Sequence, residues 1–283
     1  MKSTVFKMFL VCLVTTFSMP LLAQSDFQGK AHYESKTTAD MPDFGDRQMS
    51  EEQKKRIAES MKSMLEKSYI LSFNRSESIY KEEEKLAAPS TGGGRGFRGV
   101  DMSPGPQYKN IKTNEVLVDQ EFFGKQFLIK DSLPKLAWKM ENETKQIGQY
   151  TCFKATAVKL ASETAATSFR GPRRAEDNDA KKEEPVAPKE ITVTAWYTPQ
   201  IPVNQGPGDY WGLPGLILEV NADRTTILCS KIVLNSKDND EIKAPKKGKE
   251  VTQEEYDKIV KEKIAEMQEL RGNRGSGGGG GRR

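Results

Sequence analysis

Apolar and polar residues alternate over short segments along most of the chain. In residues 27–36, Ala31, Tyr33 and Ser35 alternate with Lys, His and Glu side chains. A period of two is the pattern of a β-strand with one buried and one exposed face. The same pattern, punctuated by turn residues, predicts about ten short strands. The segments are 27–36, 69–74, 77–82, 107–111, 115–122, 125–129, 136–140, 150–160, 191–198, 216–223 and 225–235.

Two other segments repeat their apolar residues at helical spacing. Each follows a capping box, at Ser50–Gln53 and at Thr252–Glu255, in which two side chains satisfy free backbone N–H groups. The apolar residues behind the boxes share one helical face, which predicts helices over 51–67 and 251–270. Strands joined by short turns, with only two helices, indicate an α+β or mainly β fold. We expect a strongly curved antiparallel sheet, half-barrel-like, with a helix packed against it.

Three segments show no periodicity of either kind. Residues 83–106 are first charged and then rich in glycine and proline, and residues 161–189 hold mostly small and charged side chains. Residues 271–283 are dominated by glycine and arginine. Such segments cannot bury enough apolar surface to order themselves. They predict two disordered inserts within one sheet domain over 24–240, and a disordered tail.

The N-terminus has the organisation of a signal peptide. Lys2 and Lys7 flank the start of an apolar run, residues 8–22, which ends at the small residue Ala23. The run is short for a membrane span, so we expect cleavage of residues 1–23 and a periplasmic or secreted protein. Removing both lysines lowers the formal net charge from +4 to +2. So small a charge argues against nucleic acid as a partner.

Two cysteines, Cys152 and Cys229, remain after this cleavage, and both lie in strand-like segments. In an oxidising compartment such a pair predicts a disulfide that joins two distant strands. The alternative is two buried free thiols that pack as small apolar groups. The chain has one histidine and no CxxC pair, so we expect no metal site.

Sequence motifs of known enzymes give little support for catalysis. The G-x-G-x-x-G run at residues 94–99 is not followed by a helix pattern, which a dinucleotide site requires. His32 is the only histidine, and neither GxSxG nor HExxH occurs. We therefore expect no cofactor and no enzyme activity. With 40 acidic residues in the chain, a hydrolase that uses a pair of carboxylates stays open as an alternative.

The most distinctive local sequence lies at residues 195–220, AWYTPQIPVNQGPGDYWGLPGLILEV. Its run Gly212, Leu213, Pro214, Gly215, Leu216 and Ile217 is the hexapeptide of the GLPGLI family, which the chain resembles. The upstream segment 148–156, GQYTCFKAT, is also similar to that family. The resemblance implies an exported protein of Bacteroidetes without a settled activity. It also implies an outer-membrane partner, such as a TonB-dependent receptor.

The hexapeptide has a physical interpretation of its own. Pro214 fixes its φ angle and Gly215 permits a positive one, which suits a type II turn that leads into a strand. The proline-rich run before it, residues 199–208, cannot sit inside a sheet, so we expect it to cross an end or an edge. Its aromatic residues either plug the core or line a groove for an apolar or extended ligand. The candidate ligand-binding residues are Trp196, Tyr197, Tyr210, Trp211, Leu213, Pro214 and Leu216.

These observations favour a non-enzymatic binding or accessory protein of the cell envelope. A second possibility is a half-barrel carrier of acyl chains or acylated cargo, which requires a cavity rather than a solid core. The third is the carboxylate-based hydrolase. Two carboxylates that face one cleft would favour it.

Overall fold

The computed structural model describes residues 27–39, 50–83, 105–160, 190–235 and 242–275. Twelve strands among them form one sheet. They are β1 (Gln28–Thr37), β2 (Glu66–Asn74), β3 (Glu77–Glu82), β4 (Gln107–Asn110), β5 (Glu115–Phe122), β6 (Lys125–Ser132), β7 (Lys139–Ile147), β8 (Tyr150–Leu160), β9 (Glu190–Thr198), β10 (Leu216–Ala222), β11 (Thr225–Leu234) and β12 (Lys249–Val251).

The strand order is β12-β6-β5-β4-β3-β2-β1-β11-β10-β9-β8-β7. Neighbours are antiparallel except β12, which pairs with β6 in parallel. The sheet is mixed, curved and not closed, which confirms the predicted fold class. Its register shifts in three pairs, β1 with β11, β10 with β9, and β7 with β8. Such irregularities bend and twist a strand locally, and they account for part of the curvature.

Two helices complete the described part of the chain. Helix α1 (Glu51–Leu65) begins at the predicted Ser50–Gln53 capping box and passes directly into β2. Helix α2 (Gln253–Gly275) follows the Thr252–Glu255 box. Its Tyr256 and Val260 pack against Phe122 and Phe127 of the sheet. Neither helix has an apolar stretch that could cross a membrane within the residues described.

The largest buried cluster among the described residues is here called the central cluster. It joins side chains from β1 to β3, from β8 and from β10 and β11. It consists of Ala31, Tyr33, Leu71, Phe73, Tyr80, Cys152, Ile201, Val203, Leu216, Leu218 and Cys229. Two of its members, Ile201 and Val203, belong to the connection between β9 and β10, residues 199–215, here called the crossing segment. The crossing segment thus packs against the faces of β1 to β3, instead of the end or edge of the sheet that we expected. A second cluster contains Ala155, Val193, Ala195, Tyr197, Leu213, Ile217 and Val220.

Several secondary-structure predictions differ from the structure, and one strand was missed. The strand predicted at 136–140 starts instead at Lys139 and runs to Ile147. Because β7 is an edge strand with most side chains exposed, its sequence is almost entirely polar and gives no alternation. Strand β12 has only one buried residue, Val251, so it gave no signal. Helix α1 ends at Leu65 rather than at residue 67, because Glu66 already has the extended conformation of β2.

Several predictions fall outside the described residues. They concern the signal peptide 1–23, nearly all of the inserts 83–106 and 161–189, and the last part of the tail, residues 276–283. The first part of that predicted tail, residues 271–275, belongs to helix α2.

Candidate functional site

The concave face of the sheet is open between α2 and the crossing segment. A cavity of about 520 Å³ lies there, lined by side chains from the sheet, from α2 and from the crossing segment. Small-molecule sites commonly have volumes of about 300–1,000 Å³. The cavity is therefore large enough for a ligand of that class.

The floor of the cavity follows from the register of four neighbouring strands. Tyr80 pairs with Gln107, Gln107 with Val118, and Val118 with Ile129. Directly paired residues point to the same face of a sheet. All four side chains line the cavity, which makes a continuous row from β3 to β6.

Further residues extend this floor and form two walls on opposite sides of it. The pair Ser35–Ile227 and the pair Tyr69–Glu82 extend the floor towards β11. Helix α2 contributes Gln253, Tyr256, Asp257 and Val260 on one side. Lys159 of β8 and Gly208, Asp209 and Tyr210 of the crossing segment form the other side. Curvature of the sheet is what brings β8 opposite β3 and β4.

Two stacked tyrosines dominate the floor. The rings of Tyr69 and Tyr80 lie 4.8 Å apart between centroids and 14° from parallel. Burial, followed by the charge of Glu82, raises the pKa of Tyr69 to about 12. Burial also raises the pKa of Tyr80 far above its ordinary value. Both phenols therefore keep their protons at neutral pH and can donate hydrogen bonds.

An ion pair occupies the wall opposite α2. Lys159 Nζ lies 2.7 Å from Asp209 Oδ2, and Gln107 Nε2 donates to Asp209 Oδ1 at 2.9 Å. Burial alone would raise the pKa of Asp209, but Lys159 and the two hydrogen bonds outweigh it and lower that pKa. Lys159 Nζ also lies 5.4 Å from the ring centroid of Tyr210, within reach of a cation–π contact.

Behind this ion pair, Lys109 anchors the crossing segment. Its side chain is fully buried, and its Nζ donates to the carbonyls of Gly206 and Gly208, each at 2.7 Å. Burial lowers the pKa of Lys109 to about 7, although the charge of Asp209 partly opposes this. Lys109 thus fixes the backbone that carries Asp209 and Tyr210 into the cavity wall.

A second buried contact holds the same backbone. The Ser78 hydroxyl donates to Gln205 Oε1 at 2.8 Å. Gln205 Nε2 is buried and has no hydrogen-bond partner within the described part of the chain. The Gln205 carbonyl accepts from the Ile217 N–H at 3.1 Å. The crossing segment is therefore tied both to β3 and to the start of β10.

Of the seven residues predicted to bind a ligand, Tyr210 alone lines this cavity. Tyr197, Leu213 and Leu216 are buried in the two clusters. Trp196 packs against the central cluster, with Lys145 Nζ 4.4 Å above its ring. The Trp211 indole N–H donates to the Pro134 carbonyl, and Pro214 is exposed.

The hexapeptide forms a corner, but not the type II turn that we predicted. The Gly215 N–H donates to the Leu213 carbonyl at 2.8 Å, and the Leu216 N–H donates to Ile201 at 3.0 Å. The turn is therefore one residue tighter than a type II turn, which bonds residues three apart. A Cβ atom on Gly215 would overlap the Thr198 carbonyl oxygen. This close approach explains the glycine.

Cys152 and Cys229 are free thiols in the structure and belong to the central cluster. Burial raises the pKa of Cys152 to about 11 and that of Cys229 to about 12. Both are therefore protonated at neutral pH. Within the described ranges, no group of three or more His, Cys, Asp or Glu side chains could hold a metal ion.

Sequence reasoning did not identify most of the cavity lining. Tyr69, Tyr80 and Val118 occupy alternate strand positions, which the periodicity marks only as facing a core. Which part of that face stays open depends on how far the crossing segment and α2 extend over it. No local sequence signal carries that information.

Comparison with protein-family models finds a match over one part of the chain. The model of a Bacteroidetes-associated family, described as "Protein of unknown function (Porph_ging)", matches residues 138–219. That stretch contains the hexapeptide. No curated protein matches the chain.

Two solved structures of PNGF-II, in space groups C2 and P21, align with 83% and 82% of this chain. Their identities are 15% and 14%, with TM-scores of 0.47 and 0.46. The chain spans about a third of the length of each, 32% and 33%.

Proposed function

We propose that the protein is a non-catalytic binding protein that takes a small, largely apolar molecule into the cavity between α2 and the crossing segment. The observation that carries this proposal is the open volume of about 520 Å³ on the concave face. A binding function needs a concave, mostly apolar site with a few placed polar groups. The cavity has this composition.

The lining supports the proposal because it leaves apolar side chains facing open space. Val118 is partly exposed there, and Phe122, Ile129 and Val260, each no more than 5% exposed, contribute their remaining accessible surface. Apolar surface that stays in contact with water forgoes about 25 cal/mol per Å² of stabilisation. A ligand that covers these side chains would recover part of that free energy.

The carboxylate-based hydrolase is the competing function, since Glu82, Asp209 and Asp257 line the same cavity. That chemistry generally needs one carboxyl group that stays protonated at the working pH. Asp209 is instead held ionised by Lys159. Glu82 lies 2.8 Å from Lys67 Nζ. The pairing of both carboxylates with lysines favours binding over hydrolysis.

The cellular setting is part of the proposal. The N-terminal segment 1–23 supports export to the periplasm or beyond, and the hexapeptide supports membership of the GLPGLI type. That resemblance adds an outer-membrane protein, such as a TonB-dependent receptor, as the partner. In an oxidising compartment Cys152 and Cys229 would pair, since both side chains belong to the central cluster.

Binding of a neutral fluorescent probe, N-phenyl-1-naphthylamine, tests the proposal. We expect saturable binding at one probe per chain. Val118→Trp fills the cavity from its floor and should weaken binding at least about tenfold, because the indole occupies the space of the probe. Val158→Trp is the matched control, since Val158 is 57% exposed and does not line the cavity.

Circular dichroism and thermal unfolding should show that both variants are folded. If the wild-type protein does not bind the probe, or if both variants bind it equally well, the cavity is not a binding site.

A further inference from the structure

Three of the four charged groups that line the cavity form ion pairs within the protein. Lys159 and Asp209 lie 2.7 Å apart, and Lys67 lies 2.8 Å from Glu82. Asp257, near the start of α2, accepts a hydrogen bond from Gln253 Nε2 at 2.9 Å, and the helix N-terminus favours its negative charge. An anionic ligand would therefore find no unpaired cation among these groups. Among the described residues Asp257 has no lysine partner, but it lies on α2 and not on the floor that carries the tyrosines.

The phenols on the floor are in the opposite situation. The hydroxyls of Tyr69 and Tyr80 have no hydrogen-bond partner among the residues described. Tyr80 is only 8% exposed. Among the described residues, Gln205 Nε2 is the one side-chain nitrogen or oxygen that is both fully buried and without a hydrogen-bond partner. The Tyr80 hydroxyl oxygen is therefore not fully buried and keeps some accessible surface. Because Tyr80 lines the cavity, that surface can be reached from it.

We propose that the ligand is an uncharged molecule with an apolar body and an oxygen acceptor, such as an ester or ether oxygen, that receives hydrogen bonds from Tyr80 and Tyr69. This inference rests on the proposed binding function and specifies its ligand class. The apolar body would cover Val118, Phe122 and Ile129, which continue the floor from the tyrosines towards α2.

The energetics disfavour a charged head group in this position. To gain a cationic partner, a carboxylate would have to draw Lys159 away from Asp209, or Lys67 away from Glu82. Removing one partner of a partly buried pair leaves the other charge uncompensated, which is costly. An ammonium head would have to compete in the same way for Asp209 or Glu82. An ester oxygen breaks no existing contact and satisfies donors that otherwise lack partners.

Displacement of N-phenyl-1-naphthylamine by three amphiphiles with twelve-carbon chains tests the inference. They are 1-monolauroylglycerol, laurate and dodecyltrimethylammonium, each below its critical micelle concentration. The apolar body is the same, so affinities differ through the head group alone. We expect the neutral ester to bind at least about tenfold more tightly than either ion, a difference of about 1.4 kcal/mol.

Removing one phenol oxygen gives a second, independent readout. Tyr80→Phe should weaken binding of the neutral ester about 3- to 10-fold, as expected for the loss of one hydrogen bond. It should weaken binding of N-phenyl-1-naphthylamine, which lacks an oxygen acceptor, by less than it weakens binding of the ester. Tyr108→Phe is the matched control, because the Tyr108 hydroxyl donates to Glu77 and does not line the cavity.

The outcomes separate this inference from the function it rests on. If the fluorescent probe binds but an ionic amphiphile binds as tightly as the ester, the ligand class is wrong and the binding site stands. The same conclusion follows if Tyr80→Phe and Tyr108→Phe bind the ester equally. If the wild-type protein binds no probe, the binding function itself is wrong.

Discussion

The concave face of the sheet has two halves, and they differ in what covers their apolar side chains. In one half the crossing segment lies over β1 to β3, and Ile201 and Val203 complete the central cluster. In the other half, between that segment and α2, the described residues leave the face open as a cavity. Both halves present apolar side chains from the same face of the sheet. The protein therefore fills one half with its own chain, and we propose that a ligand fills the other.

The polar groups of the two halves also differ, although the filled half keeps one unpaired donor among the described residues, Gln205 Nε2. In the filled half, Lys109 donates to two carbonyls of the crossing segment, and the Tyr33 hydroxyl donates to the Ile217 carbonyl at 2.7 Å. In the open half, the Tyr69 and Tyr80 hydroxyls lack partners among the described residues. Buried donors are normally satisfied. Because these two hydroxyls lie beside the cavity, they can donate hydrogen bonds to a bound ligand.

The largest expected effect concerns the two cysteines of the filled half. We expect Cys152 and Cys229 to pair when the protein is exported, which would lower the intact mass by two hydrogens under non-reducing conditions. Closing a loop of this length stabilises the fold by about 4 kcal/mol in the chain-entropy model. Urea unfolding with and without reductant measures that difference, and the Cys152→Ala/Cys229→Ala variant is the control. An intact mass equal to that of the reduced chain would leave two buried thiols instead.

Matched valine substitutions compare the two halves directly. Val203 of the crossing segment is 1% exposed, so Val203→Ala should lower the free energy of unfolding by about 2–3 kcal/mol through lost burial and a new void. Val118 is only partly buried and faces the cavity, so Val118→Ala should cost less than about 1 kcal/mol. Chemical denaturation measures both. Equal losses would mean that the two halves are equally well packed.

The anchor of the filled half should depend on pH. Lys109 has a pKa of about 7 in the folded protein, whereas a lysine in the unfolded chain keeps its ordinary pKa near 10.5. Between these values the unfolded chain binds more protons, so the free energy of unfolding rises with pH. The penalty for burying the charge is fully present below pH 7.

For a single group the slope is at most about 1.4 kcal/mol per pH unit, or about 2 kcal/mol between pH 7 and 9. Urea unfolding of wild type and Lys109→Met over that range measures it, and only the wild type should show the rise. Parallel curves for the two proteins would contradict the low pKa.

The smallest effect concerns the buried amide beside the crossing segment. Ser78→Ala removes the partner of Gln205 Oε1 and leaves the whole amide unpaired, which should cost about 1 kcal/mol or more. Adding Gln205→Leu removes the unpaired group as well. The double variant should therefore recover most of the loss, because replacing both partners with apolar groups can be nearly neutral. Thermal unfolding measures the stability of both variants. A double variant that is less stable than Ser78→Ala alone would contradict this explanation.

The fold could be predicted from sequence to a large extent. Alternation in β9 is regular because one face of the strand is buried and the other is less so. The Ser50–Gln53 box placed the start of α1 correctly, whereas α2 starts at Gln253 and not at residue 251, because Val251 belongs to β12. Prediction failed for β7 and β12, where pairing depends on backbone hydrogen bonds and few side chains are buried.

The candidate site could be predicted only in part. The concentration of aromatic residues near the hexapeptide pointed to Tyr210, which does line the cavity. The same signal also selected Leu213 and Leu216, which are fully buried. Lys109 looks like any strand lysine in the sequence. Its burial arises from the crossing segment, which lies almost a hundred residues later in the chain.

Native mass spectrometry of the protein, purified gently from the cells that produce it, tests the central claim most directly. The account predicts a reproducible additional mass on the wild-type chain, lost from Val118→Trp and retained by Val158→Trp. That mass should belong to an uncharged molecule of lipid size. A wild-type chain that carries no additional mass and binds no added neutral amphiphile would contradict the claim that the open half of the concave face is a ligand site.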